Sequence, residues 1–237
     1  MRDLTGVVAY ITGGSKGIGF GVAKKLLDSG MKVAISGRNK TSLEAATKQL
    51  GAGPNILALL SDVTNLENEQ NAIAQILEKW GKLDVVVANA GVGHFAPIDE
   101  LSETNWHQMI DTNLTGAFYT LKASVEALKI SKGYFITIAS LAGTNFFPMG
   151  AGYNATKFGV VGFTQAAMLD LRKYDIKVST IMPGSVATHF NNNEPSPKDA
   201  WKIQPEDIGQ LVNDLLNMHP RTLPSKIEVR PSRPDKK

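Results

Sequence analysis

Val7 to Ile11 is a nearly continuous apolar run, and Thr12-Gly13-Gly14-Ser15-Lys16-Gly17-Ile18-Gly19 follows it without a spacer. A short apolar run with no polar alternation reads as a strand buried on both faces, which is the mark of a parallel sheet. After the glycines, Val22, Ala23, Leu26 and Leu27 recur at helical spacing, and the pattern stops at Ser29-Gly30, where Gly30 suits a C′ position. A strand, a glycine-rich turn and a helix in direct succession leave few folds open. The unpaired N–H groups of that helix must point at whatever lies beyond the C-terminal end of the strand. Glycines at 13, 17 and 19 let the chain turn sharply and let a pyrophosphate approach the backbone. In this setting a dinucleotide site outweighs a loop that binds nothing.

The strand–helix alternation continues along the chain. Lys32 to Ser36 is a second strand; Gly37 and Arg38 then stand where an acid would grip the adenosine ribose of NAD, and no Asp or Glu occurs between residues 29 and 43. Lys16 in the glycine loop and Arg38 are two cations without a carboxylate, which suits a ribose 2′-phosphate and so NADP(H) over NAD(H). Thr41 and Glu44 form a capping box for a helix to about Leu50, ended by Gly51-Ala52-Gly53-Pro54. Ile56 to Leu60 is a third strand. Ser61-Asp62-Val63 follow at its C-terminal end, the ligand-binding edge of open parallel sheets; Asp62 either accepts from an adenine amino group or caps the next helix. Thr64 with Glu67 forms a second capping box, for a helix to about Trp80. Asp84 to Ala88 is a fourth strand, ending in the small residues of Asn89-Ala90-Gly91, which let backbone lie close to a ligand. A long helix from about Asn105 to Lys129 carries Asn113. Tyr134 to Ala139 is a fifth strand ending at Ser140, and a helix over about 152–173 follows. Ile176 to Met182 is a sixth strand, Pro205-Glu206-Asp207 opens a helix with Pro at N1, and a short strand fits 226–230. The pattern gives an α/β fold: a Rossmann-type doubly wound parallel sheet with helices on both faces, in one domain spanning 1–237.

Composition narrows the function. A chain of 237 residues suits one α/β domain with a large core. The net charge of +3 is small and the cations are dispersed, so no nucleic-acid surface is expected. The basic C-terminus (Lys226, Arg230, Arg233, Lys236, Lys237) reads as a solvated tail, flexible over 231–237. The chain has no cysteine, which excludes disulfides, thiolate nucleophiles and cysteine zinc sites and fits a reducing cytoplasm. The N-terminus has no signal-like apolar core and no run approaches about 18 apolar residues, so no membrane association is expected. His94, His107, His189 and His219 lack metal-site spacing, and no metal is expected.

Tyr153 and Lys157 stand four residues apart on one helical face. A free phenol has a pKa of about 10, too high for proton transfer near neutrality. A neighbouring cation favours the phenolate, which makes the pair a candidate general acid/base.

In their order and separations Thr12–Gly19, Asp62, Asn89-Ala90-Gly91, Asn113, Ser140, Tyr153 with Lys157, and Pro183-Gly184 followed by Thr188 resemble the short-chain dehydrogenase/reductase family, over about residues 5–218. The resemblance implies an NADP(H) cofactor held by Gly13, Ser15, Lys16, Gly17, Ile18, Gly19, Arg38, Asp62, Val63, Asn89, Ala90, Gly91, Tyr153 and Lys157. It adds Pro183, Gly184, Val186 and Thr188 of the loop after the sixth strand. It gives Tyr153 the proton transfer to or from a carbonyl oxygen, and Lys157 the lowering of the tyrosine pKa and a bond to the nicotinamide ribose. Ser140 would steady the substrate oxygen, and Asn113 would hold a water joining Lys157 to solvent.

By the same resemblance His189 to Ala200, extended to about 204, is a substrate lid. His94, Phe95, Phe146, Phe147, Met149 and Phe190 either line a pocket for an apolar carbonyl substrate or pack loops and a subunit interface. The chain departs from the family at its end: Lys226-Ile227-Glu228-Val229-Arg230-Pro231 replaces the usual Val-Asp-Gly-Gly-like motif, which puts the tetramer contact through that strand in doubt. A homodimer through the two long helices, or a homotetramer, remains the family expectation. The implied activity is NADPH-dependent reduction of a ketone or aldehyde, with a 3-oxoacyl thioester on acyl carrier protein as one candidate substrate. The competing reading is a non-catalytic NADP(H)-binding sensor or scaffold on the same fold.

Overall fold

The computed structural model describes residues 3–233, so the end of the basic tail expected to be flexible lies outside the described residues. Seven parallel strands run in the order β3-β2-β1-β4-β5-β6-β7: β1 Val8–Thr12, β2 Lys32–Gly37, β3 Ile56–Leu60, β4 Val85–Ala88, β5 Tyr134–Ile138, β6 Lys177–Pro183 and β7 Lys226–Val229. The helices are α1 Gly17–Asp28, α2 Lys40–Gln49, α3 Leu66–Trp80, α4 Glu103–Met109, α5 Gly116–Ser131, α6 Ala151–Leu171 and α7 Pro205–Asn217.

The uninterrupted apolar strands are explained by two cores, one on each sheet face. Ala9, Ile11, Val33, Ile35, Val85, Val87 and Ile136 point one way, onto Val22 and Leu26 of α1, Leu43 of α2 and Val212 of α7. Val8, Tyr10, Ala34, Val86, Phe135 and Val178 point the other way, onto Ile73 and Ile76 of α3, Leu121 and Leu128 of α5, and Met168 and Leu171 of α6. Strand period two with both faces apolar is what a doubly covered parallel sheet requires. Strand order reverses on the two sides of β1, which opens a crevice above the C-terminal ends of β1 and β4. Among the described residues no helix is long and apolar enough to cross a membrane.

Several local readings are corrected. The cap of α2 is Asn39, whose side chain accepts from the Ser42 N–H at 2.8 Å, so Thr41 lies inside the helix instead of opening it. Asn65 caps α3 by accepting from the Asn68 N–H at 3.1 Å, displacing Thr64 from that role. Asparagine reaches the third N–H as well as threonine does, and in both cases it stands at the extended residue just before the helix. The long helix expected from Asn105 to Lys129 is α4, a π-helical turn over Ile110–Thr115, and then α5. The opening of α7 is as expected, with Pro205 in the first turn and Gln204 and Asp207 closing a capping box. β7 forms at the sheet edge, parallel to β6.

Candidate active site

The glycine loop leaves β1 with positive φ at Gly13 (65°) and Gly17 (57°), a region costly for residues with a Cβ. Gly19 is required by contact: a Cβ there would lie 2.5 Å from the Gly13 carbonyl oxygen and 2.6 Å from Asn89 Nδ2. Asn89 binds the same loop from β4, donating to the carbonyls of Thr12 (2.9 Å) and Gly13 (3.1 Å). The Thr12 hydroxyl in turn accepts from the N–H groups of Asn89 and Ala90 at 3.0 and 3.1 Å. The ends of β1 and β4 are thus locked together under a groove of about 760 Å³. That volume lies within the ~300–1,000 Å³ usual for small-molecule sites.

Gly13, Ser15, Lys16, Gly17, Ile18, Arg38, Asp62, Val63, Asn89, Ala90, Gly91 and Thr188 line this groove, as the resemblance implies. Lys16 and Arg38 are exposed at its mouth, and among the described residues neither is paired with a carboxylate. Asp62 answers both readings of it. One of its oxygens accepts from the Thr64 N–H (3.0 Å) and hydroxyl (2.8 Å), fixing the turn, while the residue still borders the groove. Pro183, Gly184 and Val186 instead hold the loop that presents Thr188: Pro183 ends β6, the Gly184 N–H donates to the Val229 carbonyl, and Val186 bridges to Ile203. Ser36, Asn39, Ser42, Gln108 and Thr112 also border the groove, and the sequence reading passed over them. Ser36 was within reach, since it sits at the C-terminal end of a strand. A dinucleotide fits these residues: a glycine cradle too tight for a Cβ, a helix N-terminus above it, and two cations at one end.

Asn113, Ser140, Tyr153 and Lys157 do not themselves line this groove; two of them lie beside Gly91, which does. Gly91 marks the spot, because a Cβ on it would lie 3.3 Å from Asn113 Oδ1 and 3.7 Å from Lys157 Nζ. Asn113 sits within the π turn, where irregular helical ladders often mark functional positions. Its amide accepts from the Val92 N–H (2.8 Å) and donates to the Val92 carbonyl (2.9 Å) and to Thr156 Oγ1 (3.0 Å), tying the loop after β4 to α6. Lys157 is buried and donates to the Ile138 carbonyl at 3.1 Å. Ser140 accepts from the Ala142 N–H at 3.1 Å and bonds the Tyr153 phenol. Asn154, which the sequence reading did not single out, donates to the carbonyls of Ala142 and Asn145 at 2.7 Å each and so anchors the Ser140 loop to α6.

The electrostatics of the pair are set by burial. Burial pushes the Tyr153 phenol up to about 12, with the Ser140 hydroxyl pulling part of the way back. Burial also pushes the Lys157 ammonium down to about 8. Lys157 Nζ lies 5.6 Å from the centroid of the Tyr153 ring and is bonded to a backbone carbonyl instead of the phenol oxygen. Burial is thus the leading influence on both groups.

The aromatic residues divide. Phe95 packs edge-on against Tyr153 at 5.4 Å between centroids and against Phe147 at 5.7 Å, and Phe190 covers Tyr153 at 5.7 Å. His94 borders the groove, with Nε2 2.6 Å from Gln108 Oε1. Phe146 turns away and stacks on Phe158 beside Ile98 and Met149, in a separate apolar depression. Among the described residues no group of three His, Cys, Asp or Glu could hold a metal ion.

Comparison with known proteins agrees with this geometry. Residues 7–199 match the family model described as short chain dehydrogenase. An uncharacterized oxidoreductase of Staphylococcus aureus is 34% identical over 232 residues, covering 98% of this chain and 100% of the relative. An alcohol dehydrogenase from the archaeon Thermococcus sibiricus, solved with 5-hydroxy-NADP, superposes with a TM-score of 0.87 at 30% identity over 97% of this chain and 99% of that one. A 3-ketoacyl-(acyl-carrier-protein) reductase from Brucella melitensis, solved with NADH, gives a TM-score of 0.89 at 26% identity with the same coverage. With four fifths of its length matched by one family and full-length relatives on the same fold, this chain is an oxidoreductase of the short-chain dehydrogenase/reductase family.

Proposed function

We propose that the protein reduces a ketone or aldehyde to the alcohol with NADPH, and runs in reverse as an alcohol dehydrogenase. The observation that carries the reading is that Asn113 and Lys157 lie beside Gly91, which borders the groove, while Ser140 bonds Tyr153 one turn along α6 from Lys157. NADPH supplies the hydride to the carbonyl carbon. The chain supplies position and protons. Tyr153 keeps its proton throughout the physiological range, since burial raises its phenol to about 12, and so serves as the acid that protonates the carbonyl oxygen. Ser140 donates to the same oxygen and steadies the charge growing on it. Lys157 places a positive charge under the phenol at neutral pH, and Asn113 fixes the loop that brings Gly91 beside it.

The preference for NADPH rests on Lys16 and Arg38 at the groove's mouth and the absence of an acid after β2. The family relatives include proteins solved with an NADP derivative and with NADH, so the cofactor choice is argued from these side chains alone. The 26% identical neighbour from Brucella melitensis supports 3-oxoacyl thioesters as one substrate class to screen. The exposed apolar side chains on α5 and α6 support a homodimer through these helices.

The test is Tyr153→Phe with a carbonyl panel. NADPH should protect wild type and variant equally against heat, and better than NADH does. The turnover of the variant should fall by about 10²–10⁴-fold, the usual worth of a positioned acid. A variant that turns over normally would overturn the mechanism; wild type that binds NADPH but reduces nothing in the panel would favour a sensor or scaffold.

A further inference from the structure

The wall of the groove hides an acid that the proposed reaction does not use. Glu69 of α3 is fully buried. Its Oε1 accepts from the Tyr10 phenol at 2.9 Å and the Ser61 hydroxyl at 2.7 Å, and its Oε2 lies 2.9 Å from the Thr120 hydroxyl. Two further contacts extend the cluster. The Tyr10 oxygen is 2.9 Å from Ser36 Oγ, and Thr120 Oγ1 is 2.9 Å from the Gly116 carbonyl oxygen. Tyr10, Ser36, Ser61 and Thr120 are all buried.

Counting protons bears on the charge of the acid. The cluster has five short contacts, and its hydroxyls at Ser36, Tyr10, Ser61 and Thr120 carry four protons. The Gly116 carbonyl can only accept, so it takes the Thr120 proton. The contact between Thr120 and Glu69 then needs its proton from the carboxyl. One arrangement satisfies every contact: Ser36 donates to Tyr10, Tyr10 and Ser61 donate to Oε1, Oε2–H donates to Thr120, and Thr120 donates to Gly116. With an ionised Glu69 the single Thr120 proton would have to serve both Oε2 and the Gly116 carbonyl. The surroundings agree. Among the described residues, the titratable groups that face the carboxyl are Tyr10 from β1 and Asp62 from the turn after β3; β2 and α5 offer only Ser36 and Thr120, and no cation faces it. Burial, with a smaller push from the negative Asp62, holds the Glu69 carboxyl above its ordinary range against the pull of the Ser61, Thr120 and Tyr10 hydroxyls.

The cluster joins two sides of the site. Ser36 and Ser61 border the groove at the ends of β2 and β3. Gly116 begins α5 where the π turn carrying Asn113 ends, and a Cβ on it would lie 2.7 Å from the Val63 side chain. We propose that Glu69 is a neutral carboxylic acid in the folded protein and is a positioning residue, holding Ser36 and Ser61 in place against α5 and thereby shaping the adenosine end of the dinucleotide groove. The positioning role rests on the reading of that groove as an NADP(H) site; the neutral acid does not.

Infrared spectroscopy and NADPH binding at pH 7, on wild type, Glu69→Gln, Glu69→Ala and Ser61→Ala, test both halves. Wild type and S61A should show the carbonyl stretch of a buried protonated carboxyl, absent from E69Q and E69A. E69Q can copy the pattern, its amide nitrogen donating to Thr120 and its oxygen accepting from Tyr10 and Ser61, so its NADPH affinity should stay within about twofold of wild type. E69A should bind NADPH about tenfold or more weakly while turnover at saturating NADPH changes little, and S61A, which removes one strut, should weaken binding in the same direction even if E69A does not fold. Absence of the band from wild type overturns the neutral acid. Wild-type affinity in S61A and in folded E69A, or E69Q binding as weakly as S61A, overturns the positioning role. Wild type that binds neither NADPH nor NADH overturns the dinucleotide reading and the positioning role together, and the band still decides the charge.

Discussion

Lys157 is where burial ties protonation to stability and, on the proposed mechanism, to activity. In the unfolded chain its ammonium keeps the ordinary value of 10.5, and in the fold burial lowers it to about 8. Between these values the unfolded chain binds more protons, so folding gains stability as pH rises from about 8 to 10.5, and below 8 the buried charge is a standing cost. The shift corresponds to something on the order of 3 kcal/mol. Tyr153 acts oppositely at higher pH: its phenol is raised from 10.0 to about 12, so the stability it lends is present below 10 and is lost across that interval. Lys157→Met should therefore abolish carbonyl reduction, unfold in urea at pH 7 no more easily than wild type, and lack the rise in stability between pH 8 and 10. A wild-type urea midpoint that stays flat over that range would contradict the buried charge. At this scale the sequence was legible where residue spacing encodes a shared helical face, as for Tyr153 and Lys157. It was not legible for Glu69. In Leu66-Glu67-Asn68-Glu69-Gln70-Asn71 the residue looks like one of several solvated polar positions, and only the strands stacked above it make it a core residue.

At the scale of elements the segment after β6 lays Phe190 against Tyr153. Phe190 lies in a short 3-10 turn beside Asn191, whose φ of 56° is unusual for a residue with a Cβ. Its ring fills the space beside Gly93, where a Cβ would come within 2.6 Å of it, and it covers Tyr153. On the proposed mechanism a substrate approaching the phenol meets this ring, and we propose that the turn is the inner edge of a lid. Phe190→Ala should hydrate Tyr153 and bring its phenol down towards the ordinary value. Alcohol oxidation, which needs the phenolate, should then reach its plateau at lower pH than in wild type; a pH profile left unmoved would remove Phe190 from that role. Strands were easy to read because doubly covered strands are apolar throughout. Helix starts were harder, since Asn39 and Asn65 compete with nearby threonines for the same N–H groups and only geometry chooses. The π turn had no sequence signal. It coincides with the tie between Asn113 and both polar groups of Val92, a contact between segments distant in sequence.

For the whole molecule, strand order and the two cores follow from the alternation of apolar runs and helices, but the outer faces carry information that periodicity missed. β7 adds a parallel edge, with the Thr180 N–H donating to Ser225 and the Gly184 N–H to Val229, although its sequence departs from the family's usual ending. Its residues are at most half-buried, so that edge closes the sheet without a large apolar surface for a partner. The apolar exposure lies instead on the helices. Phe118 of α5 is 45% exposed and Leu169 of α6 60%, and Phe146, at 82%, is stacked on Phe158 of α6. Isolated apolar residues on a surface need no explanation, whereas aromatic side chains gathered on adjoining helices are typical of a protein interface. This favours association through α5 and α6 over association through β7. Sedimentation of wild type should give a species twice the 25.5 kDa of one chain or a multiple of it. Phe118→Asp, which lies outside the groove lining and is none of the four candidate catalytic residues, should shift that species to the single chain, because a carboxylate buried in an apolar interface is desolvated without a partner. Truncation after residue 224, which removes β7, should leave any folded protein able to form the dimer. Wild type sedimenting as one chain, or F118D remaining fully associated, would move the interface off these helices.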